Sequence, residues 1–453
     1  NLLSTYLKQY GYSTKIIEAT QSNLLTRIKQ EIESKKTNIV GFSCFCDNEL
    51  LIRNAIKHLK GIYNINIFVG GPQAVALDQE FLLETKCDAI IQGEGEEALK
   101  ELIEYYKFHN RELSDIKNLK YLDLNGNYFE NEIRKPLTNL DALPFQDFSY
   151  LEKSYMKNNA QKYAVAYLLT GRGCPYHCAF CYEGQHSKSV RYRSLDNVFA
   201  EINYVIGKYP LVRQIYIVDD TFTVNHTRVY EFCNRIQKLY KKHNFSWVCE
   251  AHVETLYKHP DMVSIMVQSG LSAMQIGIES GSSKVLKAYN KRTNADMICD
   301  VVKKCKNAGL ERLEGNIIIG GAFESKETIE ESINMCKQIL RNGIGMLELS
   351  GVLFWPFIDT PMEKNPFKYG IEIIDDQIQK TVAVMRNAVV RTIDMDRDEI
   401  VKGLEHFNNV IFEEYKKLCL KMNKKEISKF WIKGMGFNAH SQWGVALAQY
   451  PYI

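Results

Sequence analysis

Short apolar segments rich in β-branched residues alternate with longer segments of helical periodicity along most of the chain. Within the first hundred or so residues, strands are predicted at 14–18, 38–42, 65–69 and 89–91. Helices are predicted between and after them at 22–34, 48–60, 78–85 and 95–106. This alternation is typical of a doubly wound parallel sheet with helices packed on it.

A second alternation of strands and helices begins near residue 163 and ends near 355. Its six predicted strands are 164–169, 213–218, 246–250, 273–278, 313–319 and 347–353. The predicted helices are 196–207, 226–241, 258–269, 283–308 with a break near Asn290, and 325–341. Functional residues are therefore expected at the carboxyl ends of these strands, as in full βα barrels.

The remaining segments are less regular. Residues 109–160 read as a polar connector with an Asn-Gly turn at Asn125 that predicts a small hairpin. Residues 397–420 have apolar side chains at helical spacing and predict an amphipathic capping helix. The glycine- and aromatic-rich tail at 433–443 is expected either to close over the carboxyl ends of the second domain or to be disordered.

Three cysteines directly follow the first strand of the second domain. Cys174, Cys178 and Cys181 are spaced C-x-x-x-C-x-x-C, and the glycines and Pro175 around them favour a tight, preformed loop over cysteines that merely pack in a core. A structural zinc site normally has four protein ligands, and the sequence has no second C-x-x-C pair. Three thiolates favour an iron-sulfur cluster with one open coordination position.

Composition limits the class of protein. With 453 residues, 45% hydrophobic and 25% charged, the chain is expected to form two or three globular domains. Its net charge of +3 neither requires nor excludes a nucleic-acid partner. We find no apolar run long enough to span a membrane and no signal-peptide pattern, so a cytoplasmic location is expected. Twelve cysteines then indicate reduced thiols, most of them buried, together with a metal site.

The cysteine motif resembles the signature of the radical S-adenosylmethionine (radical SAM) enzymes. The resemblance implies a 4Fe-4S cluster on the three cysteines, S-adenosylmethionine (SAM) on the open iron, and a partial (βα)6 barrel. It also implies that Phe180 lies next to the adenine. Further SAM contacts are implied at later strand ends, where the matching positions are Asp219, Asp220, Glu279, Ser280, Ile317 and Gly320.

The predicted SAM contacts carry different roles. Asp219 and Asp220 would lie beside the SAM amino group, although acidic strand exits also cap helices. Glu279 would accept a hydrogen bond from a ribose hydroxyl, and Ile317 belongs to the strand that contacts the adenine. The sequence departs from the family at His252, where arginine is frequent, and after Gly320. The residue that would provide a positive charge for the methionine carboxylate is therefore undetermined.

The N-terminal segment resembles the cobalamin-binding domain of one large radical SAM subfamily. The matching stretches start at Val69, Glu80 and Cys87, and the loops that follow its strands contain Ser43, Gly70, Gly71, Gly93 and Gly95. Without the resemblance, these glycines are equally consistent with ordinary turns and with a ligand site. Gln73 stands where the subfamily often has histidine, no D-x-H-x-x-G cobalt-binding motif is present, and the sequence starts in what looks like the first helix. The axial ligand of the cobalt is therefore undetermined.

These patterns give four predicted regions: a cobalamin-binding-like domain at 1–125, a connector at 126–160, a radical SAM partial barrel at 161–365, and a helical C-terminal capping region at 366–453. The resemblance implies a SAM-derived radical enzyme, with cobalamin-dependent C-methylation of a natural-product, peptide or lipid intermediate as the favoured reaction. The alternative prediction for an enzyme is radical cyclisation, rearrangement or oxidation without methyl transfer. A non-enzymatic cobalamin or metal sensor is the alternative of another class. The expected partners are a small-molecule or peptide substrate and an electron donor such as ferredoxin or flavodoxin.

Overall fold

The structure is a computed structural model that describes residues 1–35, 37–149, 164–186, 189–374, 387–432 and 436–450. The described residues divide into two compact units, one up to residue 149 and one from residue 164 onwards. Among the helices described, none combines the length and the apolar character needed to cross a lipid bilayer.

The N-terminal unit is one five-stranded sheet with helices packed on it. Its elements are α1 (Leu2–Gln9), α2 (Leu24–Lys35), β1 (Ile39–Ser43), α3 (Glu49–Lys60), β2 (Asn66–Gly70), α4 (Pro72–Thr85), β3 (Ala89–Ile91), α5 (Glu96–Phe108), β4 (Leu119–Leu122) and β5 (Tyr128–Glu130). The strand order is β1-β2-β3-β4-β5, with β1 to β3 parallel and the β4–β5 hairpin antiparallel. Ile67, Phe68 and Val69 are all buried, because both faces of a parallel strand are covered.

Two sequence predictions in this unit are wrong. Residues 14–18 form no strand, because β-branched composition alone does not make a strand without a neighbouring strand to pair with. The helix predicted at 78–85 begins at Pro72, a favourable first helical residue, and its apolar periodicity is interrupted at Asp78, where φ is +53°. The Asn-Gly hairpin is confirmed, and its two strands extend the parallel sheet.

The second unit is an open sheet of six parallel strands. They are β6 (Ala164–Leu168), β9 (Val212–Ile217), β10 (Ser246–Ala251), β11 (Leu271–Glu279), β12 (Arg312–Ile319) and β13 (Leu347–Leu353), hydrogen-bonded in that sequential order. A two-residue pair, β7 (Gly171–Arg172) and β8 (Arg191–Tyr192), flanks the cysteine loop. All six predicted strands are confirmed, and each buries apolar side chains in the sheet, such as Leu313, Ile317 and Ile319 of β12.

Helices connect these strands. They are α6 (Glu183–His186), α7 (Leu195–Lys208), α8 (His226–His243), α9 (Val253–Lys258), α10 (Met262–Gln268), α11 (Ser283–Ala288), α12 (Ala295–Ala308), α13 (Lys326–Asn342) and α14 (Pro361–Lys364). The predicted break near Asn290 is confirmed, since Asn290 has a φ of +56° between α11 and α12. The helix predicted at 258–269 begins later, at Met262, and Pro260 separates it from α9, which was not predicted.

The C-terminal region covers the outer edge of β13. Its elements are β14 (Ile371–Ile373), β15 (Val390–Thr392), α15 (Arg397–Cys419), α16 (Lys424–Ser428), β16 (Trp431–Ile432), β17 (Gly436–Phe437) and α17 (Gln442–Leu447). The Tyr415 hydroxyl accepts from the Leu349 amide (2.7 Å), and Trp443 Nε1 donates to the Leu347 carbonyl (2.8 Å). These side chains pair backbone groups that an edge strand leaves open.

The predicted capping helix at 397–420 is therefore confirmed as α15, whereas the expectation for the tail changes. Trp443 contacts Leu347, the first residue of β13, so α17 lies towards the amino end of that strand and not over its carboxyl end. Part of the predicted tail, 433–435, lies outside the described residues.

Candidate active site at the cysteine loop

The cysteine loop leaves the carboxyl end of β6 and is fixed by backbone hydrogen bonds. The Ala179 amide donates to the Tyr289 carbonyl (2.9 Å), and the Ala179 carbonyl accepts from the Met362 amide (3.2 Å). The Cys181 amide donates to the Cys178 carbonyl (3.1 Å). Two segments, one after β11 and one after β13, therefore hold the loop, and a third hydrogen bond lies within it.

The three thiols are free and close enough to influence one another. Cys178 is buried, while Cys174 and Cys181 are half-buried. Burial raises the pKa of all three thiols, to about 11 for Cys174, and each neighbouring thiol adds to this effect at Cys174. In the part of the chain that the structure describes, no three Cys, His, Asp or Glu side chains converge on a single metal ion. This donor set fits a multi-iron cluster, in which each thiolate binds a different iron.

Asp219 fastens the start of the loop. Its carboxylate accepts from the Thr170 amide (2.6 Å) and from the Thr170 hydroxyl (2.5 Å), and the residue is 4% exposed. Burial raises the pKa of Asp219 to about 6 despite these hydrogen bonds. Asp220 accepts from the Gly173 amide (2.9 Å), next to the first cysteine. Both aspartates therefore position the loop, in addition to any contact with SAM.

A buried ion pair lies behind the loop, between Glu279 and Lys291. Lys291 Nζ is 2.9 Å from Glu279 Oε1, and the two side chains are 6% and 11% exposed. Burial opposes the charge of Lys291, but Glu279 and the Cys178 thiol together raise its pKa. A β carbon on Gly277 would lie 2.3 Å from both charged atoms, so this site requires glycine.

Glu279 adopts a backbone conformation that is rare for a residue with a side chain. Its φ is +64°, and the register between β11 and β12 shifts there, so that Glu279 lies opposite Ile317. Strain of this kind costs about 1–3 kcal/mol and is common at functional sites. The structure thus brings Glu279 and Ile317 together at one point of the sheet.

His252 does not supply the cation that the family resemblance implies at its position. It is buried, and its ring stacks on Tyr176 with centroids 3.6 Å apart. Burial, followed by the nearby positive charges of Lys291 and Arg292, lowers the pKa of His252 to about 3. His252 Nδ1 accepts from the Glu254 amide, so the proton of the neutral ring is on Nε2. Lys291 is therefore the buried cation beside the cysteines.

The other predicted SAM contacts have different surroundings in the structure. Phe180 packs edge-on against Tyr289, with ring centroids 5.0 Å apart, and Lys291 Nζ lies 5.9 Å from the Phe180 ring. Ser280 is instead bonded to Ser332 of α13 (3.2 Å). A β carbon on Gly320 would meet Ile400 of α15 at 2.5 Å. These contacts give Ser280 and Gly320 packing roles in the described structure.

Several buried polar atoms at the carboxyl ends of the strands have no hydrogen-bond partner among the described residues. They are Thr221 Oγ1 after β9, His252 Nε2 after β10, Tyr289 OH and Thr293 Oγ1 after β11, and Glu324 Oε2 after β12. Burial raises the pKa of Glu324 to about 7. Buried polar groups normally find partners, so this group of atoms fits a polar ligand such as SAM.

The predicted cobalamin contacts form a different kind of site in the N-terminal unit. Ser43 and Gly70 are paired at the carboxyl ends of β1 and β2, and the Cys44 amide donates to the Gly70 carbonyl (2.7 Å). Gly71 has a φ of +100°, and a β carbon there would lie 2.4 Å from the Cys44 carbonyl oxygen. Backbone from two strands thus approaches closely, as a loop that binds a large ligand through its backbone requires.

Gly93 and Gly95 flank Glu94 between β3 and α5. The Asn118 side chain donates to the Glu94 carbonyl (3.0 Å), and Gly95 precedes the first residue of α5. Gln73 is buried and donates to Glu49 (2.6 Å), so its side chain is engaged within the unit. The close backbone approach and Ser43 at this edge are compatible with cobalamin, and the Gln73 amide nitrogen is bonded to Glu49.

Sequence reasoning missed Lys291. Its signal in the sequence is weak, because it stands in the polar stretch Asn290 to Arg292 after a short helix, where an exposed lysine is the usual outcome. The sequence does contain an Asn at the point where α11 ends, which turns the chain back towards the cysteine loop. The Asn290 side chain donates to the His177 carbonyl (2.8 Å) and so fixes that return.

An open parallel βα sheet with three free cysteines at its first carboxyl end defines a cluster-binding enzyme domain. In agreement with this, residues 168–336 match the radical SAM superfamily, and residues 1–103 match the B12 binding domain. The chain belongs to the radical SAM superfamily, among the members that carry a B12-binding domain.

Relatives and solved structures support this assignment. An uncharacterized methyltransferase of Pyrococcus horikoshii, PH0819, is 30% identical over 333 residues, which cover 72% of this chain and 70% of the relative. An anaerobic magnesium-protoporphyrin IX monomethyl ester cyclase of Rubrivivax gelatinosus is 23% identical over 91% of this chain and 74% of the relative.

Two solved cobalamin-dependent enzymes share the fold. The radical enzyme OxsB with aqua-cobalamin bound superimposes with a TM-score of 0.71 at 17% identity, over 94% of this chain and 67% of that chain. The methyltransferase TsrM from Kitasatospora setae, with cobalamin and a 4Fe-4S cluster bound, gives 0.67 at 14% identity, over 82% of this chain and 76% of that chain.

Proposed function

We propose that this chain is a cobalamin-dependent radical SAM enzyme that methylates an unactivated carbon of its substrate. The observation that carries the proposal is the free cysteine triplet beside the buried Lys291–Glu279 pair, at the carboxyl end of a parallel βα sheet. A cation and an anion held beside three thiols match a ligand that carries both signs of charge.

Each cofactor has residues that would hold it. Cys174, Cys178 and Cys181 would bind a 4Fe-4S cluster, and the unpartnered polar atoms after β9 to β12 would contact SAM. Backbone around Gly71 and Gly93, with Ser43, would hold cobalamin at the carboxyl edge of the N-terminal sheet. When bound, the cluster and SAM supply a 5'-deoxyadenosyl radical, and methylcobalamin supplies a methyl group.

Lys291 and Glu279 would orient SAM through charge. The ammonium group of Lys291 matches the methionine carboxylate, and the second oxygen of Glu279 is available to a ribose hydroxyl. Neutral His252 adds a hydrogen-bond donor at Nε2, which has no partner among the described residues. Phe180 and Ile317 add apolar contacts that exclude water from the adenine side.

A second candidate reaction is radical cyclisation without methyl transfer. The observation that favours it is the match to the anaerobic cyclase, which covers 91% of this chain. Methylation is preferred because the 30% identical relative is named a methyltransferase and because a B12-binding domain is present. Either reaction needs a one-electron donor and a reducing compartment, for which we propose a ferredoxin or flavodoxin in the cytoplasm.

The test is the content of iron, sulfide and cobalt in protein purified without oxygen after expression with cobalamin. About four iron and four sulfide per chain with one cobalt are expected. Iron and sulfide without cobalt would favour the cyclisation reading. Zinc without sulfide would overturn the radical proposal and favour a metal sensor.

A further inference from the structure

A cavity lies against the cysteine loop, between this loop and the segments that follow β11, β12 and β13. It has a volume of about 730 Å³, and its lining includes Lys284, Lys287, Lys368 and His177. None of the described residues that line it is acidic. We propose that this basic cavity is the docking site for an acidic protein that delivers single electrons to the cluster, an inference that rests on the function proposed above.

The floor of the cavity is the loop that carries the thiols. His177 and Ala179 line it, and they flank Cys178 in the sequence. The Ala179 backbone is hydrogen-bonded to Tyr289 and Met362, so this floor is fixed at both its amide and its carbonyl. A partner bound over the cavity would therefore contact the loop on both sides of Cys178 in the sequence.

The positive charges are available to a partner. Lys284, Lys287 and Lys368 are exposed, and none lies within salt-bridge distance of a carboxylate in the described parts of the chain. The ammonium groups of Lys284 and Lys368 lie 5.4 and 5.6 Å from the rings of Phe323 and Tyr369. These aromatic contacts hold the two lysines at the cavity without neutralising them.

Charge complementarity determines which occupant fits. The chain as a whole has a net charge of only +3, so three unpaired lysines and a histidine around one cavity are a local concentration. A positive patch attracts an acidic partner and accelerates its association, and this attraction weakens with salt. Small acidic proteins with a low-potential one-electron carrier have the required charge, and a reductant is what this family needs beside its substrate.

The test compares two triple variants of the cofactor-loaded enzyme. Lys284→Glu, Lys287→Glu and Lys368→Glu are combined in the cavity variant. Lys238→Glu, Lys303→Glu and Lys402→Glu are combined in the control variant, which changes three exposed lysines outside the cavity lining. Both variants alter the net charge equally. The probe is a recombinant acidic flavodoxin.

Two quantities are measured. The first is the Kd of oxidised flavodoxin for each enzyme at low and high salt, a binding measurement without turnover. The second is cleavage of SAM to 5'-deoxyadenosine, driven either by reduced flavodoxin or by dithionite. In the flavodoxin reaction the donor is oxidised by one electron for each electron that the enzyme receives.

We expect the cavity variant to raise the flavodoxin Kd and KM about tenfold at low salt. Dithionite-driven cleavage should be unchanged, and the control variant should behave as the unmodified enzyme. The docking proposal would be overturned if both variants changed the flavodoxin Kd equally or if the cavity variant left this Kd unchanged. It would also be overturned if the cavity variant lost dithionite-driven SAM cleavage to the same extent as flavodoxin-driven cleavage. If the unmodified enzyme lacks iron and sulfide, the radical function fails, and the Kd comparison still decides whether the cavity binds the donor.

Discussion

The carboxyl edges of the two parallel sheets present different chemical groups. At the six-stranded sheet, ionisable side chains are buried and paired, as in the Lys291–Glu279 ion pair and the Asp219–Thr170 hydrogen bonds. At the N-terminal sheet the corresponding edge brings backbone close together, with Gly71 packed on Cys44, and its buried Glu49–Arg53 ion pair is joined by Gln73 within the unit. A site that must orient a charged ligand uses fixed side-chain charges, whereas a site for a large ligand uses backbone clearance.

The strongest test of this contrast is removal of one cysteine. Cys178→Ala should eliminate most bound iron and sulfide and reduce SAM cleavage below detection, because a cluster with two protein ligands is not retained. Cobalt content should be unchanged. Cys299→Ala, a buried cysteine on α12, is the control and should keep all three elements. Full iron content in Cys178→Ala would remove the cysteine loop from the site.

The second test concerns the buried ion pair. Lys291→Met should destabilise the protein by about 3–5 kcal/mol, because Glu279 is left buried and unpaired. The double variant Lys291→Met, Glu279→Gln should recover much of this stability, since neither charge remains. Chemical denaturation measures both effects.

The same double variant separates stability from SAM binding. We expect its KM for SAM to be raised roughly tenfold to a hundredfold, which corresponds to losing a charge-assisted hydrogen bond of about 1.5–3 kcal/mol. Lys291→Arg is the matched variant that keeps the charge. An unchanged KM in the stable double variant would show that another cation meets the methionine carboxylate.

At the backbone-based edge, the informative change is Gly71→Ala. A β carbon would collide with the Cys44 carbonyl at a positive φ, so we expect a destabilisation of about 1–3 kcal/mol and loss of bound cobalt. Iron and sulfide should remain. Gly41→Ala in β1, where no atom lies within 4 Å of the added carbon, is the control. Cobalt binding that survives in Gly71→Ala would place cobalamin elsewhere.

The smallest expected effect is in the pH dependence of stability. The pKa of His252 is about 3 in the folded chain and 6.5 without burial, so between these values the unfolded chain binds the additional proton. Stability should therefore rise as the pH rises through this window and fall on acidification, by at most about 1.4 kcal/mol per pH unit from this group.

His252→Gln should reduce that pH slope while leaving stability at pH 7 within about 2 kcal/mol, because Gln retains a hydrogen-bond acceptor and donor. Thermal unfolding at pH 5 and pH 7 measures the difference. A slope that is identical in the two proteins would mean that His252 is not the buried neutral group.

The sequence predicted most of the second domain because its local signals are strong. Each of the six strands contains at least two apolar residues that are buried, and the spacing of Cys174, Cys178 and Cys181 constrains the chemistry within eight residues. The break in the helical run near Asn290 was also predicted from the sequence. Prediction was weaker in the N-terminal unit, where residues 14–18 have strand composition without a partner strand.

The electrostatics of the site were not predictable from local pattern. His252 occupies the position where relatives often have a cation, yet burial against Tyr176 makes it neutral. Lys291, which reads as a surface residue, is instead buried and charged. Whether an ionisable group carries charge depends on its burial and on its neighbours in space, and neither is given by its neighbours in sequence.

The sequence by itself determined the class of fold, the cysteine triplet on one loop and the presence of an N-terminal sheet with glycine-rich carboxyl ends, because these depend on residue type and short-range spacing. The tertiary structure decided that Lys291 pairs with Glu279, that α15 and α17 cover the edge of β13, and that three lysines surround one cavity beside the cysteine loop. These contacts are between segments that are distant in sequence, or that are close in sequence but change direction at a single residue. Only the folded chain brings them together.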